Sequence, residues 1–384
     1  MKLQNAIRGN FFFYAFAIGA AFPYLAPFFK EHLQATDQQI GLLLMIRPAM
    51  ALLLVPFWTM AADTRGKRAF LTAVLSISAG IVFPFVLIPS SFIWIVLLLA
   101  LWAGLHAPLW SMGDSIAFDY LGHHRRTRLA NFRVFGSLGW IVAVLICGKW
   151  FDLFSLKWLF PIYATGIIVS GLLIIKAPSN ERMPLNIGKQ ALIKLLKKKN
   201  VLILMGILLI AETANQMAYA FLSLYGKHLG ASNLYVGIIW ATATLAEVFT
   251  MTFFSRIVAR IGIKRILAAG IAFAVIRWIP LAFLSSWWQL LPFQTLHAFT
   301  FVFVYIGTAT FMDVEASKKI RSTAQAFYTT IILNLSAMIG SFLGGQISQK
   351  WGYGFLFTVS GVMVFIAAII LILFVKEPPT GESD

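Results

Sequence analysis

Long apolar runs alternate along this chain with short polar interruptions. Runs of roughly twenty residues, the length a helix needs to cross the hydrocarbon core of a bilayer, fall at about 9–29, 39–61, 69–90, 92–118, 130–150, 158–176, 202–225, 234–257, 266–285, 288–312, 323–346 and 352–375. Only helices and closed barrels satisfy their backbone in lipid. The pattern therefore predicts an all-α integral membrane protein with twelve transmembrane helices. The first run is too long for a signal-peptide core and no small-x-small cleavage site precedes the next polar loop, so it is expected to be retained as a span.

The longest polar connection, "KAPSNERMPLNIGKQALIKLLKKKN" from Lys176 to Asn200, separates six spans from six. It predicts two pseudo-symmetric six-helix bundles, 1–176 and 201–376, joined by a linker at 177–200 and followed by a tail at 377–384. A repeat supports the division: "ADTRGKRAFL" after the second span is echoed by "ARIGIKRILA" after the eighth, with Gly66 and Gly262 in matching places. Parallel repeats of this kind build many transporters. Within the linker, Leu192, Ile193, Leu195 and Leu196 alternate with lysines, a composition equally suited to a helix lying on an anionic leaflet and to a solvated connection.

Composition sharpens the picture. Of 384 residues, 60% are hydrophobic and only 12% charged, about half the charged share of an ordinary soluble domain. The formal net charge of +17 is a matter of topology. With the N-terminus in the cytoplasm, 23 Lys and Arg residues fall in cytoplasmic segments and 5 on the other face, the positive-inside asymmetry. Both termini are then cytoplasmic and the chain is expected in the cell's inner (plasma) membrane, as a monomer among lipid. No hydrophilic domain exists to carry a basic nucleic-acid face, which excludes nucleic acid as a partner. The single cysteine, Cys147, excludes an intrachain disulfide. No phosphate-binding G-x-x-x-x-G-K-[ST] loop and no H-E-x-x-H occurs, so no nucleotide-driven pump, cofactor or metal is expected.

Three arginines, Arg47, Arg133 and Arg277, remain inside spans, where a charge costs several kcal/mol unless paired or wetted. Counting from the turn near His124, Asp114 and Arg133 lie ten and nine residues away, at one depth of an antiparallel hairpin. Glu247 and Arg277 lie fourteen and sixteen residues from a turn near Ile261, roughly 20 Å along their helices. Each half is thus expected to hold one acid–arginine pair. His297 on the tenth span adds a titratable imidazole. Trp140 lies seven residues after Arg133, two helical turns along on the same face. Gly136 and Gly139 between them are expected to let helices approach closely, as are Ser336, Gly340 and Gly344 at four-residue spacing. Glu212 on the seventh span is read either as a proton-coupling group or as a wetted rim residue. Arg47, followed by Pro48, has no assigned role. Aromatic residues of the first span, Tyr14, Phe22 and Tyr24, suit either a cavity lining or a lipid-facing belt.

The loop "TMAADTRGKRAF" resembles the G-x-x-x-D-R-x-G-R-R loop between helices 2 and 3 of major facilitator transporters, with Asp63, Gly66, Lys67 and Arg68 in the matching places. The resemblance implies that these residues latch the two halves on the cytoplasmic side. Thr59 replaces the leading glycine, and Ala259 stands where the second copy would have its acid. The order "RVFGSLGW", Glu247 in "TLAEVFTMTFF", Arg277 in "AVIRW" and His297 in "TLHAFTF" resembles the proton symporters related to lactose permease and 3-phenylpropionate permease. This implies the major facilitator fold, with Asp114, Arg133, Trp140 and Arg277 binding substrate and Glu247 and His297 coupling protons. The glutamate central to proton movement in lactose permease is here Thr300, and a lysine is Gln294. Coupling is therefore expected through Glu247, Asp114 or Glu212. The expected activity is proton-driven symport of a small organic solute (an aromatic carboxylate, a sugar or a nucleoside) by two halves rocking about a central site. Efflux by proton antiport and an intramembrane enzyme using Asp114, His106 and His297 are the alternatives.

Overall fold

The computed structural model describes residues 2–64, 66–88, 91–122, 125–178, 189–316, 325 and 327–377, with side chains excepted at 125–128, 189–192 and 252–260. The expected turn at His124, the middle of the linker and most of the tail lie outside these residues. Among the described residues no strand occurs, and eleven helical segments are long and apolar enough to cross a membrane. The last of them, Phe327–Phe374, has 48 residues. At 1.5 Å per residue it is about 72 Å long, twice a hydrocarbon core. It is two helices joined at Gly352, whose φ of 81° and ψ of 172° no helix contains.

The spans are α1 (Leu3–His32), α2 (Asp37–Thr64), α3 (Arg68–Leu87), α4 (Phe92–Leu121), α5 (Arg125–Leu153) and α6 (Leu156–Ile174). They continue with α7 (Lys199–His228), α8 (Asn233–Ile261), α9 (Ile263–Phe283), α10 (Trp287–Glu315), α11 (327–351) and α12 (353–374). A short helix, Lys189–Leu196, lies in the linker. Several spans are interrupted. α4 breaks at Ala107 and Pro108, directly after His106; α10 breaks at Leu296, directly before His297; and α9 tightens into a 3-10 turn at Ile279–Phe283, just past Arg277. Proline at 108 and 280 removes helical hydrogen bonds at two of these places. Each interruption adjoins a buried or half-buried polar side chain of its span.

Contacts group the chain into two compact units. The first comprises Met1–Ala35, Ile46–Leu185 and Ala231–Ala241; the second comprises Thr36–Met45, Asn186–Gly230 and Thr242–Asp384.

In the first unit α1 packs along α5 and α6, and small residues set the spacing. A Cβ at Gly139 would stand 2.2 Å from the Phe12 carbonyl oxygen, whereas one at Gly136 would find its nearest neighbours at 3.8 Å. Gly139 is therefore demanded by the approach of α1, and the expectation that Gly136 also permits it is corrected: that position has room for a methyl. Asn10 fixes α6 by donating to Ser170 Oγ (2.7 Å) and O (3.1 Å). Tyr24 is fully buried and donates to the Val144 carbonyl, so it joins α1 to α5 and belongs to no lipid-facing belt. At the start of α8, the Asp152 carboxylate accepts from the N–H groups of Asn233 (2.7 Å) and Leu234 (3.0 Å), an acid at the positive end of a helix.

In the second unit α7 lies along α11. A Cβ at Gly340 would come within 2.6 Å of the Thr213 carbonyl and one at Gly344 within 2.8 Å of the Phe221 ring, while Ser336 Oγ donates to Leu209 O (3.3 Å). The stripe of small residues thus serves close packing. With lipid tails as apolar as leucine, such fit supplies most of the cohesion between spans.

The contrast between the two glycines is testable. Gly139→Ala is expected to lose about 1–3 kcal/mol through overpacking, read as a lowered Tm of the detergent-solubilised protein. Gly136→Ala is expected to melt with the wild type.

Candidate functional site

Each unit holds an arginine inside a span, and the two are solvated differently. In the first unit Arg133 grips Asp114 with two parallel hydrogen bonds, Nη2 to Oδ2 at 2.7 Å and Nε to Oδ1 at 3.3 Å. The expected pairing of α4 with α5 at one depth is what the structure has. The arginine side chain keeps 42% of its surface exposed and the aspartate 14%, so the pair forms a polar face with both donors and acceptors. The ring against which the guanidinium lies is Trp110, 5.7 Å away on α4. Trp140 instead packs edge-on against Trp240, at 6.1 Å, and its buried indole N–H has no partner among the described residues. Trp140, expected with Arg133 to bind substrate, thus has Trp240 as its ring neighbour. Seven residues of helix are about 10 Å of rise, and the guanidinium turns toward α4.

In the second unit Arg277 is wholly buried. Nη1 donates to Tyr219 Oη (2.6 Å) and Thr300 Oγ1 (3.2 Å) and lies 3.1 Å from His297 Nδ1; Nη2 donates to Gln294 Oε1 (2.6 Å). Its charged carbon stands 4.2 Å over the Trp278 ring and 5.0 Å over that of Tyr219, cation–π contacts that strengthen when desolvated. Glu247 does not pair directly with Arg277, as depth counting suggested. Its Oε2 lies 3.6 Å from His297 Nε2, so the imidazole stands between acid and arginine. Counting residues gives a level along a helix and leaves the angle around it open. α10 fills that angle.

The approach of the Arg277 guanidinium favours one tautomer. A guanidinium only donates, so Nδ1, facing Arg277 and also 3.0 Å from Tyr219 Oη, presents its lone pair. The ring proton then sits on Nε2, toward Glu247. Thr300 and Gln294, where this chain departs from the lactose permease pattern, are both ligands of Arg277.

Glu212 is buried, which corrects its reading as a wetted rim residue. Asn215 hydrogen-bonds its carboxylate, and among the described residues no cation lies within ion-pair distance. Asn215 in turn accepts from Trp278 Nε1 (2.8 Å), so a chain of contacts links Glu212 to the ring beneath Arg277.

At the loop between α2 and α3, Gly66 has φ of 58°, a left-handed turn that glycine adopts without strain. Arg68, 1% exposed, is held between Asp63 and Asp119; Lys67 is exposed. Asp119, five residues beyond Asp114, was passed over in the sequence. Its signal was its level: it lies at the same end of α4 as the basic loop. In the second copy Gly262 also has positive φ, 89°. The missing acid is supplied from beyond α12, where Glu377 Oε1 accepts from the Lys264 backbone N–H (3.2 Å).

His106 is buried in the first unit with both ring nitrogens engaged, Nδ1 by Tyr163 Oη (2.7 Å) and Nε2 by Tyr14 Oη (3.4 Å). No nucleophile is arranged against it, and the intramembrane-enzyme alternative gains nothing from this geometry.

Comparison with known proteins agrees with this architecture. The model of the MFS_1 like family matches residues 6–359. The maltose permease of Geobacillus stearothermophilus is 23% identical over 97% of this chain and 95% of its own length. The putative nucleoside transporter YegT of Escherichia coli (strain K12) is 23% identical over 79% of this chain and 78% of its own. The crystal structure of the nucleoside transporter NupG superposes with a TM-score of 0.86, at 15% identity, covering 98% of this chain and all of that one. A helical, multi-pass chain with this fold and a family match over most of its length is a transporter rather than an enzyme: it belongs to the MFS_1 like family of the major facilitator superfamily.

Proposed function

We propose that the chain is a proton-coupled symporter that takes up a small organic solute by alternating access. The observation that carries this reading is the His297 imidazole held between Glu247 and the donors of Arg277 and Tyr219. Protonation of Nδ1 would set N–H against N–H. The Arg277 donor must then turn away, and its other ligands, Tyr219, Thr300 and Gln294, must rearrange with it. Proton binding and the position of a buried guanidinium are thereby two sides of one equilibrium. Glu247, facing Nε2, can receive the Nε2 proton once Nδ1 has taken one up. Glu212, whose partner is an amide, can exchange a proton without breaking an ion pair and is a second coupling candidate.

Substrate binding is assigned to Asp114 and Arg133, with Arg277 and the unmet indole N–H of Trp140. A neutral acid–arginine pair offers donors and acceptors together, which suits hydroxyl-rich and carboxylate solutes alike. The relatives named as a maltose permease and a putative nucleoside transporter support solutes of this size and kind. In this reading the halves are 1–176 and 201–376, and the chain works as a monomer in the inner (plasma) membrane. Both termini are cytoplasmic in this reading, which the 23 to 5 division of basic residues supports. Asp63, Gly66, Lys67 and Arg68 form the cytoplasmic latch, with Asp119 holding Arg68.

In proteoliposomes with an imposed pH gradient, Glu247→Gln is expected to abolish gradient-driven accumulation while solute exchange without net proton movement continues. Accumulation equal to wild type would remove Glu247 from the coupling role. Arg133→Lys keeps the charge and loses the two-pronged grip. It is expected to weaken solute affinity about tenfold, and unchanged affinity would contradict the assignment.

A further inference from the structure

Glu212 lies in α7 thirteen residues beyond Lys199, about 20 Å along the helix from the start of the span. It is 8% exposed, and a carboxylate at that depth is tolerated only when protonated or when a cation stands against it. Asn215 bonds it through an amide, which brings no charge. Two further polar groups of the second unit are buried with their bonding capacity unused. The Thr308 hydroxyl on α10 is wholly buried and Tyr328 on α11 is 1% exposed, and neither oxygen has a hydrogen-bond partner among the described residues. A buried hydroxyl left unmet costs stability, so two of them beside one uncompensated acid call for an occupant.

Levels and contacts bring the three groups together. Tyr219, seven residues beyond Glu212, and Thr300, eight residues before Thr308, both bond Arg277. On antiparallel spans Glu212 and Thr308 therefore lie about 10–12 Å to the same side of that guanidinium. Level alone leaves the angle open, and Tyr328 closes it. It stands in the first turn of α11, Phe327–Ile332, which is wound as a π-helix and touches α7. Its ring lies 6.1 Å from that of Tyr305, one turn before Thr308, and its hydroxyl adjoins that of Thr308. Among charged groups, the Glu212 carboxylate acts most strongly on the same hydroxyl. Single π turns inside α-helices recur at functional sites, and transporter spans interrupted in this way are where small ions are held.

We propose that Glu212, Tyr328 and Thr308 form a binding site for a monovalent alkali cation such as sodium. The donor set fixes the class. One carboxylate and two hydroxyls are hard oxygen ligands, which suit alkali and alkaline-earth ions over transition metals. A single carboxylate balances a single positive charge, whereas a divalent ion would leave net charge buried in the span. The hydroxyl oxygens keep their lone pairs for the ion. Asn215 steadies the carboxylate and is itself fixed, its Oδ1 accepting from Trp278 Nε1 (2.8 Å), the ring that lies 4.2 Å from the Arg277 guanidinium. The site stands apart from the His297 imidazole, eleven residues from Thr308 and about 16 Å along α10. The inference goes beyond the proton-coupled reading and does not rest on it: it adds a second ion, whichever group carries the proton.

The test is the melting temperature of the purified, detergent-solubilised protein at a fixed alkaline pH, in sodium, lithium, potassium or choline chloride at equal ionic strength. Sodium chloride is expected to raise Tm saturably, by about 3 °C over choline chloride. Glu212→Gln keeps the shape and removes the charge. It is expected to melt no lower than the wild type in choline and to lose the alkali response. Tyr328→Phe and Thr308→Val are each expected to weaken the apparent sodium affinity about tenfold. Should Glu212→Gln fail to fold, retention of radioactive sodium by the wild type, weakened in Thr308→Val, gives the same reading. Equal melting in all four salts with no sodium retained overturns the site, as does an alkali response that survives in Glu212→Gln. Either result beside accumulation driven by a pH gradient alone leaves the proton-coupled reading standing. An alkali response without any accumulation in a pH gradient contradicts that reading and keeps the site.

Discussion

A guanidinium at membrane depth cannot shed its charge, so the protein around it must replace water. Arg277 meets that requirement without a carboxylate in direct contact. One hydroxyl from α7, a hydroxyl and an imidazole from α10, an amide from the same span and two aromatic faces surround it. Four of these six groups hold it only through lone pairs. Of the four, the imidazole is the one whose lone pair a proton can occupy to give a cation, so the buried charge of Arg277 depends on the protonation state of its neighbour. The helix interruptions serve this arrangement. The break before His297 and the tightened turn after Arg277 place both side chains at points where regular helix stops.

The first unit solves the same problem twice and differently. Arg133 is neutralised by Asp114 and kept partly exposed. Arg47 is left cationic, steadied by a ring, above a base of rings and tyrosine hydroxyls bonded to His106. Polar groups in these spans are mutually bonded, while glycine contacts such as Gly139 on Phe12 bring the helices close enough for side chains on different spans to reach one another.

The spans were legible because length and hydropathy are set by the bilayer, whatever the protein does. The Asp114–Arg133 pair was legible for a related reason: adjacent antiparallel helices turn depth counting into distance. The same counting misjudged Glu247 and Arg277, because their level was right and the intervening imidazole came from a third helix. Thr300 and Gln294 read in the sequence as losses of charge, since only the folded site reveals that both point oxygens at Arg277. Trp110 and Tyr219 carry no pattern that separates them from the many aromatic residues nearby. Glu377 replaces the acid absent at Ala259 from more than a hundred residues away, a substitution that no local motif can display. Arg47 was visible as an oddity, and only the fold shows the Phe22 ring beneath it.

The account stands on the lone pair of His297 Nδ1. Nitrogen-15 NMR of histidine-labelled protein, with His297 assigned by the signal lost in His297→Gln, reads the two ring nitrogens directly. The account predicts a neutral imidazole with the proton on Nε2 and Nδ1 accepting a hydrogen bond, and loss of that accepting signal together with proton uptake. A neutral ring protonated at Nδ1 would contradict it.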